Sequence, residues 1–192
     1  VLLLCEDETV TEQMNRLARQ IKLDFYGSRD DVDSVLSDSF YGAYMLTSHL
    51  IENGHRRIAC IQGTPHSMPV RDRVRGFGDT LRAHGLGDRI VVTGEDFSVQ
   101  NGYLETKLAL AREERPTAIF ALSNLILLGV VKAVHESGLR IPDDISVVSF
   151  DDNMLFNYLD PAITCIGQPT DEIGAPSASP ARRLRTCTCR RR

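Results

Sequence analysis

Short apolar runs alternate along the chain with longer segments in which apolar residues recur at helical spacing. Such runs are typical of buried strands, and such spacing is typical of amphipathic helices. Strands are predicted at 58–62, 90–93, 117–122 and 145–150, and helices at 41–53, 71–84, from 100 or 101 to about 114, and 124–137. This regular alternation indicates an α/β fold with doubly wound parallel sheets.

The beginning of the chain follows this rhythm less closely. The pattern predicts strands at 1–5, 21–25 and 32–36 and a helix at 8–19, and either Asp38 or Ser39 can cap the helix that follows. No turn residues separate the helix at 8–19 from the strand at 21–25. Because elements of a compact domain are normally joined by a loop of a few residues, the junction between Gln20 and Ile21 lacks an expected connector.

Helical and strand periodicity both end after Gly174. The residues beyond it are rich first in Ala, Ser and Pro and then in Arg, Thr and Cys, which predicts an irregular basic tail at 175–192. Six of the 22 basic residues lie in this tail, so residues 1–181 carry 16 basic and 26 acidic side chains, a formal charge of −10. An acidic body of this kind is a poor match for a nucleic-acid backbone, which requires a basic face.

The composition argues against several other classes of protein. No apolar run approaches the ~20 residues that a membrane span needs, and no secretory signal opens the sequence, so we expect a cytoplasmic protein without membrane contact. The five cysteines are scattered, which favours reduced thiols over a disulfide framework. Cys187 and Cys189 lack the spacing of a zinc site, and neither a metal site nor a cofactor is predicted.

One stretch places a carboxylate at the end of a buried strand. A helix ends at Gly138, Pro142 marks a turn, and the apolar run 145–150 leads directly into Asp151. In open α/β sheets, ligands bind beyond the carboxyl ends of the parallel strands. Asp151 is therefore a candidate ligand contact, although a capping or turn aspartate is the alternative interpretation.

Seven short blocks stand out in order along residues 32–169. They are VDSV (32–35) continuing to Asp38, HLIENGHRRIA (49–59), RVRGF (73–77), DFS (96–98) with GY (102–103), RPTAIFA (115–121), IPDDISVVSFDD (141–152), and PAIT (161–164) with QP (168–169). Together they resemble the effector-binding domain of the lactose-repressor/galactose-repressor family of bacterial transcription regulators, which is built like the periplasmic sugar-binding proteins. Each block alone is weak evidence for this family. The occurrence of all seven in the family's order makes the resemblance specific.

The resemblance implies two lobes with a small effector bound between them. It assigns residues 1–39 plus 165–174 to an incomplete first lobe, residues 40–164 to a second lobe, and residues 175–192 to the irregular tail. It also implies family segments that are absent before Val1, between Gln20 and Ile21, and after Gly174. A homodimer is expected, and DNA contact is expected only through a helix-turn-helix domain that is not among these residues.

The resemblance also nominates ligand-binding residues. Arg73 matches the family's ligand-binding arginine, whose guanidinium can clamp two oxygens, and Asp151 would accept hydrogen bonds from hydroxyl groups. Phe97 lies where the family places an aromatic ring against the ligand. Ser123 and Asn124 occupy the position of a family Asn-Asp pair. The alternatives are a surface arginine, a phenylalanine in the core, and a helix cap at Asn124.

On this basis the predicted function is an effector-sensing module for a sugar, nucleoside or purine. The main alternative is a small α/β hydrolase-type enzyme that uses Asp151 or Asp152 with His66 and Ser67. The familiar nucleophile-elbow, phosphate-loop, dinucleotide and metalloprotease motifs are absent from the sequence, which weighs against an enzyme. A secreted periplasmic sugar-binding protein is a third interpretation with the same fold.

Overall fold

The computed structural model describes residues 2–4, 24–26, 37–153, 156, 161–168 and 188–190. The predicted helix at 8–19, the predicted strand at 32–36 and the junction between Gln20 and Ile21 lie outside these residues. The strands are β1 (Leu2–Leu4), β2 (Asp24–Tyr26), β3 (Ile58–Ile61), β4 (Val91–Thr93), β5 (Ala118–Ala121), β6 (Ser146–Phe150), β7 (Thr164–Gly167) and β8 (Thr188–Arg190). The helices are α1 (Ser39–Glu52), α2 (Met68–Ala83), α3 (Val99–Leu110) and α4 (Asn124–Glu136), with a short 3₁₀ helix at Gly87–Arg89.

Six strands form one sheet in the order β4-β3-β5-β6-β7-β8. Strands β3 to β7 are mutually parallel, and β8 runs antiparallel to β7 at the edge. The order reverses direction at β3, because the chain moves from β3 outward to β4 and then returns to add β5, β6 and β7 on the other side. The predicted doubly wound parallel α/β fold is therefore confirmed.

Helices cover both faces of this sheet, and the strands divide their side chains between the two faces. On β5, Phe120 packs with Leu46 of α1 and Phe77 of α2, whereas the neighbouring Ile119 packs with Val130 of α4. The two-residue repeat of a strand produces this division, and burial on both faces explains why β3, β5 and β6 read as continuous apolar runs. Phe77 and Leu81 of α2 are both buried against this sheet, and Val74 of the same helix is partly buried.

Two glycines allow α3 and α4 to pack backbone against backbone. A Cβ added to Gly102 on α3 would lie 2.2 Å from the carbonyl oxygen of Ile126, and one added to Gly129 on α4 would lie 2.1 Å from the carbonyl oxygen of Val99. Real side chains essentially never approach a backbone so closely. This contact fixes the position of the amino end of α4, which follows directly from β5.

Element boundaries agree closely with the predictions, with two corrections. Helix α2 begins at Met68 and not at residue 71, because Pro69 needs no hydrogen-bond acceptor in the first helical turn and so begins the helix without ending it. Helix α3 begins at Val99, because Ser98 caps its amino end by accepting a hydrogen bond from the Asn101 amide. The helix ends at Leu110, four residues before the predicted end. The cap of α1 is Asp38, which was one of the two residues predicted for this role, and Ser39 is the first residue of the helix.

The predicted irregular tail needs a correction at Thr188–Arg190. These residues pair with β7 as an antiparallel strand, with Ile166 opposite Cys189. The physical reason is the edge of β7, which offers unpaired backbone groups that any extended segment can bind, whatever its periodicity. The predicted boundary between residues 164 and 165 falls inside β7.

The beginning of the chain contributes a separate two-stranded parallel sheet formed by β1 and β2. The strands predicted at 1–5 and 21–25 are confirmed for the residues that the structure describes. The division into an incomplete first lobe and a second lobe stays a prediction.

Candidate functional site

The parallel strands bring several polar side chains to one edge of the sheet. The carboxyl ends of β3, β4, β5, β6 and β7 all lie on this edge, because the strands run in the same direction. The residues that follow the strands, together with the amino-terminal turns of α2 and α4, form what we call the ligand rim. It contains Gln62, Gly63, Ser67, Arg73, Thr93, Phe97, Leu122, Ser123, Asn124, Asp151 and Gln168.

Arg73 reaches from α2 across the ends of two strands. Only 1% of its surface is exposed, and its Nη1 donates a 2.7 Å hydrogen bond to the carbonyl oxygen of Leu122. Its Nη2 lies 3.8 Å from Oδ1 of Asp151, and its Cζ lies 3.8 Å from the centre of the Phe150 ring. The guanidinium is thus held by a backbone acceptor, a carboxylate and an aromatic face. The structure brings the predicted residues Arg73 and Asp151 together.

Asp151 adopts a backbone conformation that directs its carboxylate into the rim. Its φ of 72° lies in the left-handed region, which aspartate tolerates better than most residues. The Gln168 side-chain amide donates a 2.5 Å hydrogen bond to Oδ1, and the Ser37 hydroxyl donates a 2.7 Å hydrogen bond to Oε1 of Gln168. Among the described residues, Oδ2 of Asp151 accepts no hydrogen bond. A carboxylate oxygen therefore remains for a ligand.

Sequence reasoning gave no role to Ser37 or Gln168. Gln168 belongs to one of the seven blocks, but a glutamine after an apolar run carries no signal of its own. The two residues are 131 positions apart, so their contact depends on the folded chain. The only local clue was that Gln168 follows β7, as Asp151 follows β6.

Three buried polar atoms at the rim have no hydrogen-bond partner in the described part of the chain. They are Nε of Arg73, Oγ of Ser67 and Oγ1 of Thr93. Ser67 stands at the amino cap of α2 and is fully buried, yet its side chain makes no capping hydrogen bond. A buried polar atom without a partner costs about 1–3 kcal/mol. A bound molecule that carries hydroxyl groups would remove this cost.

Ser123 and Asn124 begin α4 at the end of β5. The Ser123 hydroxyl accepts a 3.3 Å hydrogen bond from the Ile126 amide and so caps the helix. The cap considered for Asn124 is therefore wrong, because Asn124 is the first residue of the helix itself. The hydroxyl hydrogen of Ser123 is still available to a ligand, since a capping serine uses only its acceptor lone pair.

Phe97 lies against the backbone at the end of β3. A Cβ added to Gly63 would fall 2.4 Å from Cε1 of the Phe97 ring, so only glycine leaves room for the ring there. The half-buried ring also packs against the cores on both faces of the sheet. Hydrogen bonds from the Ser98 side chain and backbone lower the pKa of the neighbouring Asp96. The structure places Phe97 at the rim, and its contact with a ligand stays a prediction.

Two cavities that are lined by described residues lie away from the rim. One of about 240 Å³ is beside the amino ends of β3, β4 and β5, and one of about 360 Å³ is beside the carboxyl end of α4. Within the described ranges, no cluster of His, Cys, Asp or Glu is arranged to hold a metal ion. No helix in the same residues is long and apolar enough to cross a membrane.

Comparison with known proteins places this fold in a wider group. The family model described as a periplasmic binding protein-like domain matches residues 47–184. The chain is 34% identical over 183 residues to the ribose operon repressor of Escherichia coli strain K12, covering 91% of this chain and 54% of that protein. It is 30% identical over 179 residues to the HTH-type transcriptional repressor PurR of Vibrio atlanticus, with the same two coverages. The chain thus spans about half the length of these curated relatives.

A solved structure shows the same architecture. A LacI family transcriptional regulator from Enterococcus faecium, crystallised with bound ribose, superposes with a TM-score of 0.78 at 28% sequence identity. The superposition covers 90% of this chain and 66% of the other.

Proposed function

The chain belongs to the periplasmic binding protein-like family, within the lactose-repressor/galactose-repressor group, and from that premise we propose that it binds a small effector and transmits its presence to a DNA-binding domain. The membership confirms the resemblance predicted from the seven blocks. The effector would bind at the ligand rim, without chemical change. The observation that carries the proposal is the contact between buried Arg73 and Asp151, with unused hydrogen-bonding capacity on both.

The rim supplies the chemistry that a polyhydroxylated ligand needs. Oδ2 of Asp151 can accept a hydrogen bond from one hydroxyl group, while Nε of Arg73 can donate to a neighbouring oxygen. The hydroxyls of Ser67, Thr93 and Ser123 can serve as either donors or acceptors. Phe97 supplies an apolar ring beside them. Arg73 and Asp151 would keep their mutual contact, so a ligand could bind without leaving a buried charge unpaired.

Ribose is the effector that we propose, with purines as the competing class. Support comes from two similar proteins, one named a ribose operon repressor and one a regulator with ribose bound. The several small hydroxyl side chains at the rim fit a compact sugar, because short side chains leave space for ligand hydroxyls. Similarity to PurR keeps purines in the experimental panel.

The Asp151–Gln168–Ser37 contact supports a route for the signal. Ser37 lies just before Asp38, the cap of α1, and Gln168 immediately follows β7, so their hydrogen bond joins the segment that leads into α1 to the segment that leaves β7. A ligand that binds Asp151 would alter the hydrogen bond to Gln168 and thereby bias the orientation of these connections. We propose that the movement reaches DNA through a helix-turn-helix domain outside this sequence, in the cytoplasm.

Asp151→Asn is expected to weaken ribose binding at least about tenfold, because a charged hydrogen-bond acceptor becomes a neutral amide. Asparagine tolerates the left-handed backbone, so the fold should remain intact. Isothermal titration calorimetry with ribose, xylose, adenosine and hypoxanthine measures the effect, and recovery of unchanged ligand tests for the absence of turnover.

Asp143→Asn is the matched control, since it makes the same charge change at an exposed carboxylate paired with Arg140. Equal losses in the two variants would contradict a direct role for Asp151. If none of the four compounds binds the unaltered chain, the effector proposal fails for these classes.

The expected homodimer has a candidate surface on α3 and α4. Leu104 and Leu108 are four residues apart on α3 and are 48% and 63% exposed, and Leu125 of α4 is 47% exposed. Exposed leucines grouped on two adjacent helices are unusual for a monomer and typical of an interface. We place the dimer contact on this surface, where each residue would appear twice by symmetry.

Leu108→Ser is expected to raise the dimer dissociation constant about tenfold or more, because two leucines per dimer lose their burial. Sedimentation velocity over a concentration series measures the change. Tyr41→Ser is the control, since Tyr41 is also about half exposed but lies on α1. A monomer at all concentrations, or equal weakening by both substitutions, would contradict the assignment.

A further inference from the structure

The cavity of about 240 Å³ lies at the edge of the sheet opposite the ligand rim. Its lining comes from the start of β3, the 3₁₀ helix before β4, the end of α3 and the turn before β5. Buried apolar residues form its floor, namely Ile58, Ala59, Ala109 and Pro116. The cavity shares no residue with the rim, and an inference about it does not rest on the proposed effector site.

Three arginines surround this floor, and we call the site the arginine cavity. Arg57 immediately precedes β3, Arg89 ends the 3₁₀ helix, and Arg112 follows α3. None of the three has a carboxylate within 4.0 Å among the described residues, although Arg73, Arg75, Arg82 and Arg140 all do. Among the described residues, Arg56 and Arg115 also have no carboxylate at this distance, so what distinguishes the arginine cavity is that three such guanidinium groups line one space.

One of these guanidinium groups is held in place. Nε of Arg57 donates a 3.0 Å hydrogen bond to the carbonyl oxygen of Arg115. This contact uses one of the five N–H groups of the side chain and orients the remaining four. Arg89 and Arg112 are exposed and can move toward a ligand.

Asp88 and Glu114 also line the arginine cavity, so its three arginines and two acids give a formal charge of +1. The lining therefore keeps a net positive charge, which favours an anion. A phosphate group carries a charge between about −1.5 and −2 and offers three terminal oxygens, which matches three guanidinium groups. The two carboxylates can accept hydrogen bonds from ligand hydroxyls and would disfavour a ligand with charge at both ends.

We propose that the arginine cavity binds a small organic phosphate. The phosphate oxygens lie on the guanidinium groups of Arg57, Arg89 and Arg112, and the carbon body lies on the apolar floor. The volume is below the roughly 300–1,000 Å³ of sites for drug-sized ligands, so the ligand is a compact monoester. The protein would then carry two separate small-molecule sites, one at each edge of the same sheet.

Phenyl phosphate is the probe that tests the site, since it combines one phosphate with one apolar ring. Calorimetric titration of the 192-residue chain at low ionic strength should show saturable binding that weakens as salt is added. Inorganic phosphate should bind more weakly because it has no apolar body, and benzoate more weakly because it has two oxygens and a single charge. Absence of saturable binding by phenyl phosphate, or equal affinity for benzoate, overturns the proposal.

Arg89→Gln and Arg112→Gln should each weaken phenyl phosphate binding about tenfold, because each removes a charged hydrogen-bond donor. Both side chains are exposed, so the melting temperature should not change. Arg75→Gln makes the same charge change at an exposed arginine paired with Asp72 and should leave the affinity unchanged. Equal weakening in the control shows a non-specific charge effect and overturns the site.

Discussion

Arg73→Met is expected to lower the free energy of unfolding by about 2–3 kcal/mol and to abolish effector binding. Methionine preserves most of the volume of the aliphatic stem. The measured loss of stability therefore reports the contribution of the guanidinium group. Removing it leaves the Leu122 carbonyl without its donor and leaves the Asp151 carboxylate without its positive neighbour. Breaking a buried ion pair usually costs about 3–5 kcal/mol, and the lower figure follows from the 22% exposure of the Asp151 side chain.

Urea denaturation followed by circular dichroism measures the stability change, and calorimetry with ribose measures binding. Arg75→Met is the control because Arg75 lies on the same helix with its side chain 62% exposed. Arg73→Lys separates charge from shape, since lysine keeps the charge but cannot form the planar fork over Phe150. If Arg73→Lys binds ribose as well as the unaltered chain, the guanidinium geometry has no part in recognition.

Gly129→Ala is expected to destabilise the chain by about 3 kcal/mol. The added methyl group would meet the Val99 carbonyl oxygen at 2.1 Å and the Tyr103 amide nitrogen at 2.5 Å, and neither backbone atom can move without displacing α3. Overpacking of this kind costs about 1–3 kcal/mol and more where the neighbour is rigid. The expected loss of stability is opposite in sign to the usual effect of replacing a helical glycine, because alanine is normally the better helix former.

Gly78→Ala, on α2, is expected to stabilise the chain, in contrast to Gly129→Ala. There the added methyl group would meet only the flexible end of Arg82 at 3.4 Å, so the higher helix propensity of alanine should stabilise the chain by about 0.5–1 kcal/mol. The two substitutions are compared by their urea midpoints. A neutral or stabilising Gly129→Ala would show that α3 and α4 can separate at little cost.

The sheet was predictable because its signals are local. Buried strands of a parallel sheet appear as continuous apolar runs, and β3, β5 and β6 have this pattern within a residue or two of their observed bounds. The position of Asp151 at the carboxyl edge followed from the same reasoning. Arg73 was nominated through resemblance alone, because nothing in the spacing of a helical arginine shows whether it is buried.

The remaining parts of the site depend on contacts that a linear pattern does not contain. The acceptor for Arg73 is a backbone carbonyl, which every residue carries and no sequence motif marks. The contact of Phe97 with Gly63 joins two loops that follow different strands. Likewise, Gly102 and Gly129 appear in the sequence only as weak helix formers. Only the folded structure shows that they allow the backbones of α3 and α4 to come into contact.

The hydrogen bond between Ser37 and Gln168 has a consequence for the order in which the protein becomes functional. These residues flank nearly the whole six-stranded sheet in the sequence, so the network around Asp151 closes only after the ribosome has synthesised β7. A nascent chain can fold β3 to β5 and their helices earlier, because those contacts are closer in sequence. On the proposed function, effector recognition would therefore be acquired late in synthesis, and partly made chains would neither compete for the ligand nor report its concentration.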